Sequence, residues 1–136
     1  MITAVDTSVL LDVFGADPTY GSRSRDALRS CITEGRLTAC EVVWAEVIGF
    51  FPSLAAGEQA LRRLGVDFDA LERETALEAG RAWKLHRARG GSRLRVAADF
   101  LIGAHALCQA DRLLTRDRGF YRAYFRRLSI IDPSRT

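Results

Sequence analysis

Residues 2–15, ITAVDTSVLLDVFG, decide the fold that the sequence predicts. The first four form a short apolar run, which is typical of a strand buried in a parallel sheet. Asp6 follows directly, and from Thr7 the apolar residues recur at helical spacing until Gly15 ends the segment. The segment therefore predicts a buried strand, a carboxylate at its carboxyl end, and a helix that starts beside this carboxylate.

The same alternation of short apolar runs and helical segments continues along all 136 residues. Further strands are predicted within RLTAC, VDFDAL, RLLT and LSII, at residues 36–40, 66–71, 112–115 and 128–131. Further helices are predicted at residues 22–34, 41–51, 54–64, 72–89, 96–110 and 119–125. Alternating elements of this kind form a parallel sheet that is covered on both faces. We expect one domain over residues 1–136, an α/β fold built as a three-layer α/β/α sandwich with a mainly parallel central sheet.

The composition restricts the classes of function. Apolar residues make up 48% of the chain and the formal net charge is +3, which permits an acidic partner without requiring one. The three cysteines form no C-x-x-C pair or His/Cys cluster, which is typical of reduced thiols in a cytosolic protein rather than a zinc site. The longest apolar stretch, residues 42–56, contains Glu46 and Pro52 and is too short to span a bilayer.

Two carboxylates follow predicted strands directly. Asp6 comes after ITAV, and Asp117 comes just after RLLT. Each has an alternative interpretation as a helix cap or a first-turn acid. Because the carboxyl ends of parallel strands meet at one edge of the sheet, where active groups gather in such folds, we expect these two acids to share that edge.

Two further carboxylates lie on helix faces that are otherwise apolar or small. Glu46 shares its predicted face with Val43, Val47 and Phe50, where an acid must find a partner or carry a desolvation cost. Asp99 occupies the first turn of the helix that contains FLIGAHA, and the helix dipole alone does not explain why it faces inward. Both acids are therefore candidates for the same site.

A divalent cation explains why several carboxylates would converge. Carboxylates a few ångströms apart repel one another and raise each other's pKa. A bound cation compensates for this repulsion. A set of oxygen ligands without His or Cys selects hard ions such as Mg²⁺ or Mn²⁺. Such ions activate water for phosphodiester hydrolysis and stabilise the departing oxygen, so the pattern predicts a metal-dependent hydrolase.

Four motifs, in this order and at these separations, resemble the PIN-domain ribonucleases, and among them the VapC-type toxins of bacterial toxin–antitoxin pairs: DTSVLLD, WAEVIG, ADFLIGAHA and LLTRDRGF. The resemblance extends over essentially the whole chain. It implies four catalytic, metal-binding acids, namely Asp6, Glu46, Asp99 and Asp117, with Ser8 and Thr115 in supporting positions. The activity it implies is endoribonuclease cleavage of RNA, usually tRNA or rRNA, with Mg²⁺ or Mn²⁺ as cofactor.

The resemblance also implies partners, namely a cognate VapB-like antitoxin and a second copy of the chain in a homodimer. Four arginines lie near the acids in sequence and are candidates for contacts with RNA phosphates: Arg93, Arg95, Arg116 and Arg118. The same arginines could instead be solvated or receive an acidic segment of the antitoxin. His86 is expected to be solvated, and a catalytic role is not favoured for His105, which lies a helical turn or more beyond Asp99.

Other readings of the sequence fit less well. A haloacid-dehalogenase-type phosphatase needs a second acid two positions after Asp6, where this chain has Ser8. A response-regulator receiver domain needs a lysine at a late strand end, but Lys84 lies inside a predicted helix. Within the PIN fold, a housekeeping RNA-processing nuclease and a non-catalytic binding protein stay open as alternatives.

Overall fold

The computed structural model describes residues 1–91 and 97–135 of the chain. Within these ranges five strands form one sheet: β1 (Ile2–Val5), β2 (Arg36–Ala39), β3 (Val66–Phe68), β4 (Arg112–Leu114) and β5 (Ile130–Ile131). The strand order is β3-β2-β1-β4-β5, and each neighbouring pair is parallel. The predicted parallel sheet is confirmed, with the first strand of the chain at its centre.

Seven helices within the described ranges flank the sheet. They are α1 (Thr7–Phe14), α2 (Gly21–Glu34), α3 (Glu41–Phe50), α4 (Leu54–Leu64), α5 (Arg73–Ala88), α6 (Ala97–Gln109) and α7 (Arg118–Tyr124). The central strands are buried between the helical layers, with Val5 and Leu114 almost inaccessible to solvent. This arrangement confirms the three-layer α/β/α sandwich, and the predicted element bounds differ from the observed ones by a few residues at most.

Local sequence accounts for where helices begin and end. The Ser53 hydroxyl accepts a hydrogen bond from the Ala56 amide at 3.1 Å and so caps the start of α4. Gly65 ends α4 with φ 85°, a backbone conformation that glycine adopts without the steric penalty of a side chain. The chain can therefore turn directly from α4 into the edge strand β3.

The path of the chain reverses at β1, and this reversal positions the candidate site. From β1 the chain builds β2 and β3 on one side, and then crosses over to build β4 and β5 on the other. Val5 pairs with Leu114, and the Asp6 amide donates a hydrogen bond to the Leu114 carbonyl at 3.0 Å. In open α/β sheets such a reversal point is where ligands bind, and here it brings Asp6 beside Thr115.

None of the helices in residues 1–91 and 97–135 combines the length and the apolar character that crossing a membrane requires.

Gly103 on α6 marks a close approach in the core. A Cβ atom at this position would overlap the ring of Phe125, which is itself buried. Gly103→Ala is therefore expected to lower the free energy of unfolding by about 1–3 kcal/mol, the usual cost of overpacking. Denaturant unfolding measures the change.

Gly80→Ala provides the matched control for this substitution. Gly80 also lies inside a helix, α5, but a Cβ atom there would meet nothing within 4 Å. Alanine in an open helical position stabilises by about 0.4–1 kcal/mol, so the two substitutions should shift stability in opposite directions. Equal effects of both would contradict the close packing of α6 against Phe125.

Candidate metal centre

Asp6 is a buried carboxylate with hydroxyl groups around one of its oxygens. It is only 6% exposed and occupies the N-cap position of α1, yet its side chain makes no capping hydrogen bond. The Thr115 hydroxyl donates to Asp6 Oδ2 at 2.7 Å, and the hydroxyls of Ser8 and Tyr121 lie 3.5 Å from the same oxygen. Asp6 is therefore the N-cap residue by position, but its carboxylate is not occupied by a capping hydrogen bond and stays open to a role in a polar site.

The environment of Asp6 raises its pKa from 3.8 to about 6. Burial is the largest cause, because it removes water from the charged carboxylate. The charges of Asp99 and Asp117 raise the pKa further, whereas the hydrogen bond from Thr115 lowers it. Two of the other three predicted acids, Asp99 and Asp117, thus lie within electrostatic reach of Asp6, although they are 93 and 111 positions away in the chain.

Thr115 connects two of these acids directly. It is fully buried, and its hydroxyl oxygen accepts a hydrogen bond from the Asp117 amide at 3.0 Å while its proton goes to Asp6. The turn between β4 and α7 is therefore tied to the end of β1 through one side chain. Its position immediately after a buried strand places Thr115 between the two carboxylates.

Glu46 reaches the site edge through Thr7, the residue after Asp6. The Thr7 hydroxyl donates to Glu46 Oε1 at 2.7 Å. The predicted apolar surroundings of Glu46 are wrong, because Glu46 is exposed and Phe50 on the same helix face is 51% exposed. The buried face of α3 consists of Val43, Trp44 and Val47, and Glu46 lies at its margin. Thr7 was not among the predicted site residues, because nothing in the sequence marks it beyond its place beside Asp6.

The donor atoms of this group suit a hard divalent cation. In the part of the chain that the structure describes, no three His, Cys, Asp or Glu side chains are grouped tightly enough to form a ready-made metal site. Mg²⁺ nevertheless binds commonly through one or two carboxylates and completes its shell with waters and substrate phosphates. The Asp6 carboxylate is desolvated and faces the negative charges of Asp99 and Asp117. A cation bound there would offset both the desolvation and the repulsion between these charges.

Comparison with known families identifies the fold. The PIN domain model matches residues 3–126, which include all of the carboxylates described above. The chain belongs to the PIN domain family. No curated protein is similar enough in sequence to match this PIN domain.

Solved structures show the same fold at low sequence identity. VapBC2 from Rickettsia felis, bound to a DNA fragment from its promoter, has a TM-score of 0.77 and 14% identity, with 97% of this chain and 98% of that chain covered. VapBC-1 from nontypeable Haemophilus influenzae has a TM-score of 0.77 and 18% identity, with coverage of 99% and 100%. A toxin–antitoxin complex from Klebsiella pneumoniae has a TM-score of 0.64 and 18% identity, with coverage of 96% and 97%.

The candidate RNA-binding arginines of this PIN domain fall into three groups. Arg93 and Arg95 lie outside the described residues. Arg116 forms a two-point ion pair with Asp12, and hydrogen bonding to Asp12 raises the pKa of Arg116 above its ordinary value. The ion pair gives Arg116 a structural partner, and its predicted contact with RNA stays a prediction. Arg118 begins α7, and its buried Nε has no hydrogen-bond partner, so it stays a candidate.

The two histidines of the PIN domain have structural partners. His105 is buried, and its Nε2 lies 2.9 Å from Asp69 Oδ2. The expectation that His86 is solvated is wrong, because it is only 8% exposed and its Nδ1 lies 2.8 Å from the Tyr124 hydroxyl. The neighbouring arginines made His86 look like a surface residue, whereas α7 covers its ring in the fold.

Proposed function

We propose that this PIN domain is a metal-dependent endoribonuclease and the toxin of a toxin–antitoxin pair. The observation that carries the proposal is the buried Asp6 carboxylate at the sheet's reversal point, within electrostatic reach of Asp99 and Asp117. A buried acid that makes no capping hydrogen bond and faces like charges costs folding free energy. Membership of the PIN family and the toxin–antitoxin structures with the same fold support this reading.

The proposal gives each residue a role in holding or orienting the site. Asp6, Asp99, Asp117 and Glu46 would hold Mg²⁺ or Mn²⁺. When bound, the ion would supply an activated water for attack on a phosphodiester and charge stabilisation for the departing oxygen. Thr115 fixes the Asp6 carboxylate through its 2.7 Å hydrogen bond, with Ser8 on the same oxygen. Thr7 orients Glu46 from the other side.

The proposal extends to partners and setting. We include a cognate VapB-like antitoxin, because VapBC pairs and a toxin–antitoxin complex share the fold over nearly the full length of both chains. We also include a homodimer, a single PIN domain over residues 1–136, and action on RNA in the cytoplasm. The net charge of +3 is compatible with a polyanionic substrate.

Cleavage of RNA by the purified chain tests the proposal directly. The protein, freed of any copurifying partner, is incubated with total RNA and Mn²⁺, with EDTA in a parallel reaction. We expect discrete RNA fragments with Mn²⁺ and none with EDTA, and sequencing of the cut ends identifies the target. Intact RNA under all conditions, with a protein that is folded and binds Mn²⁺, would contradict the enzymatic function.

Growth after induction tests the toxin role. Expression of the chain alone should arrest growth, and Glu46→Gln should relieve the arrest, because it keeps the acceptor for Thr7 but removes a negative charge from the site. Glu58→Gln is the matched control, since Glu58 lies exposed on α4 and pairs with Arg62. Equal arrest by the wild type and Glu46→Gln would point away from hydrolysis as the harmful act. Cleavage without arrest would favour a housekeeping nuclease.

Arg118 is expected to contact RNA phosphate. Arg118→Gln should weaken RNA binding and reduce the slope of log K against log[salt] by roughly 0.7–1, the amount that one phosphate contact contributes. Binding is measured without metal so that the RNA stays intact. Arg62→Gln is the control, because Arg62 is exposed on α4 and paired with Glu58. An unchanged salt slope for Arg118→Gln would remove Arg118 from the RNA-binding surface.

A further inference from the structure

An ion pair with a buried carboxylate lies directly beside the candidate site, and the site as described does not use it. Asp12 on α1 is 4% exposed. Arg116 donates to it with both arms of the guanidinium, from Nε to Oδ2 at 2.7 Å and from Nη2 to Oδ1 at 2.9 Å. The Ser24 hydroxyl on α2 donates to Asp12 Oδ2 at 2.8 Å. Two parallel hydrogen bonds fix the orientation of a guanidinium as well as its distance.

The connection between α1 and α2 encloses the other side of the same guanidinium. The Arg116 Cζ atom lies 4.1 Å from the centroid of the Tyr20 ring. The Tyr20 amide donates to Asp17 Oδ2 at 2.7 Å, and the Asp17 amide donates to the Asp12 carbonyl at 2.8 Å. Arg116 is therefore held by a segment that is itself internally hydrogen-bonded, so its position is fixed relative to α1.

Arg116 stands between the two residues that connect the turn to Asp6. Thr115 donates to Asp6 at 2.7 Å, and the Asp117 amide donates to Thr115 at 3.0 Å. We propose that the Asp12–Arg116 ion pair is a positioning device that sets the turn between β4 and α7, so that Thr115 and Asp117 meet Asp6 in the geometry the site requires. Arg116 acts through its neighbours and does not contact the substrate.

An RNA-binding role for Arg116 would work against this arrangement. Releasing the guanidinium to a phosphate would leave the Asp12 carboxylate buried without its partner, and an uncompensated buried charge is strongly destabilising. Arg118, two positions later, has a buried Nε that lacks a hydrogen-bond partner in the described part of the chain. The two arginines that flank Asp117 therefore differ: Arg116 positions the turn through Asp12, and Arg118 stays the candidate for a contact with RNA.

The test separates local positioning from general stabilisation. Asp12→Asn removes the charge with little change in shape, and Arg116→Lys keeps the charge but loses the fork. Glu34→Gln is the matched control, because it breaks an ion pair of 3.2 Å with Arg112 at the opposite end of the same strand, β4. Hydrogen exchange is measured by NMR on the metal-free proteins, below their melting transitions, at the Asp117 amide and at the Asp6 amide, which bonds to Leu114.

We expect Asp12→Asn to lower the melting temperature by about 10 °C, the usual size of effect when a buried pair is broken. In Asp12→Asn and in Arg116→Lys, protection of the Asp117 amide should fall at least about 10-fold relative to the Asp6 amide, with Mn²⁺ affinity by calorimetry reduced by about 10–100-fold. Glu34→Gln should change neither the relative protection of the Asp117 amide nor the Mn²⁺ affinity. An equal loss of protection at both amides would overturn the proposal and leave the pair with general stabilisation only.

A second outcome would also overturn it. If Arg116→Gln lowers the salt slope of RNA binding and leaves the relative protection of the Asp117 amide unchanged, Arg116 is an RNA contact after all. The inference rests on the proposed function for its meaning, but the exchange measurement needs neither metal nor RNA. A wild-type protein that does not cleave RNA would therefore contradict the proposed function, while the exchange ratios would still decide whether the ion pair positions the turn.

Discussion

Asp6→Asn is expected to lower metal-dependent RNA cleavage by at least about 100-fold, the loss typical when a group that stabilises developing charge is removed. Asp6 is the buried carboxylate of the group, and Thr115, Ser8 and Tyr121 surround one of its oxygens. Asparagine keeps the size and one oxygen but removes the negative charge that a cation requires. The fold should persist, because the substitution also removes a buried charge that faces two other carboxylates.

Initial cleavage rates on one defined RNA, at saturating Mn²⁺, measure this effect. Asp26→Asn is the control, because Asp26 is an exposed acid on α2 whose nearest charged partner is the exposed Arg25. Circular dichroism of both variants establishes that they are folded. Cleavage by Asp6→Asn at a rate within a few-fold of the control would remove Asp6 from the catalytic centre, and with it the central argument for a nuclease.

The second large effect concerns the pH dependence of stability in the metal-free protein. The folded-state pKa of Asp6 is about 6, above its ordinary value of 3.8, so the folded state holds a proton that the unfolded state releases between these values. The contribution of Asp6 to the free energy of unfolding must therefore fall as the pH rises through this window. Since one pKa unit corresponds to about 1.4 kcal/mol, charged Asp6 should cost roughly 3 kcal/mol of unfolding free energy above pH 6.

Comparison of the wild type with Asp6→Asn isolates this contribution, because the other titrating groups are common to both proteins. Urea unfolding in the presence of EDTA gives the free energy at several pH values. The free energy of unfolding of Asp6→Asn should increase relative to that of the wild type as the pH rises from about 4 to about 6. Above pH 6 the difference between the two proteins should stay constant. A difference between the two proteins that does not change with pH would show that Asp6 is not held in the environment described.

Much of the fold followed from local patterns in the sequence. The apolar runs before Asp6 and Thr115 are short and bounded by polar residues, and they became the adjacent strands β1 and β4. The acids after these strands were placed correctly because the end of a parallel strand has only one edge to occupy. The hydrophobic pattern of each strand and the direction of the strands were therefore sufficient to predict that Asp6 and Asp117 lie at the same edge of the sheet.

The sequence did not indicate those surroundings of a side chain that depend on distant parts of the chain. Glu46 falls at the margin of the buried face of α3, and periodicity alone does not locate the centre of that face. Arg116 finds its partner 104 positions away in Asp12, and a basic residue beside a predicted site gives no sign of such a pairing. Tertiary packing determined both outcomes, and local spacing does not encode it.

The sheet ends in very short strands, with three residues in β3 on one side and two in β5 on the other. So little free backbone offers few hydrogen bonds to an incoming chain, which protects the monomer against edge-to-edge aggregation. Recognition by strand addition would gain correspondingly little affinity. We therefore expect a protein that binds this chain tightly to gain most of its affinity from side-chain contacts rather than from strand pairing.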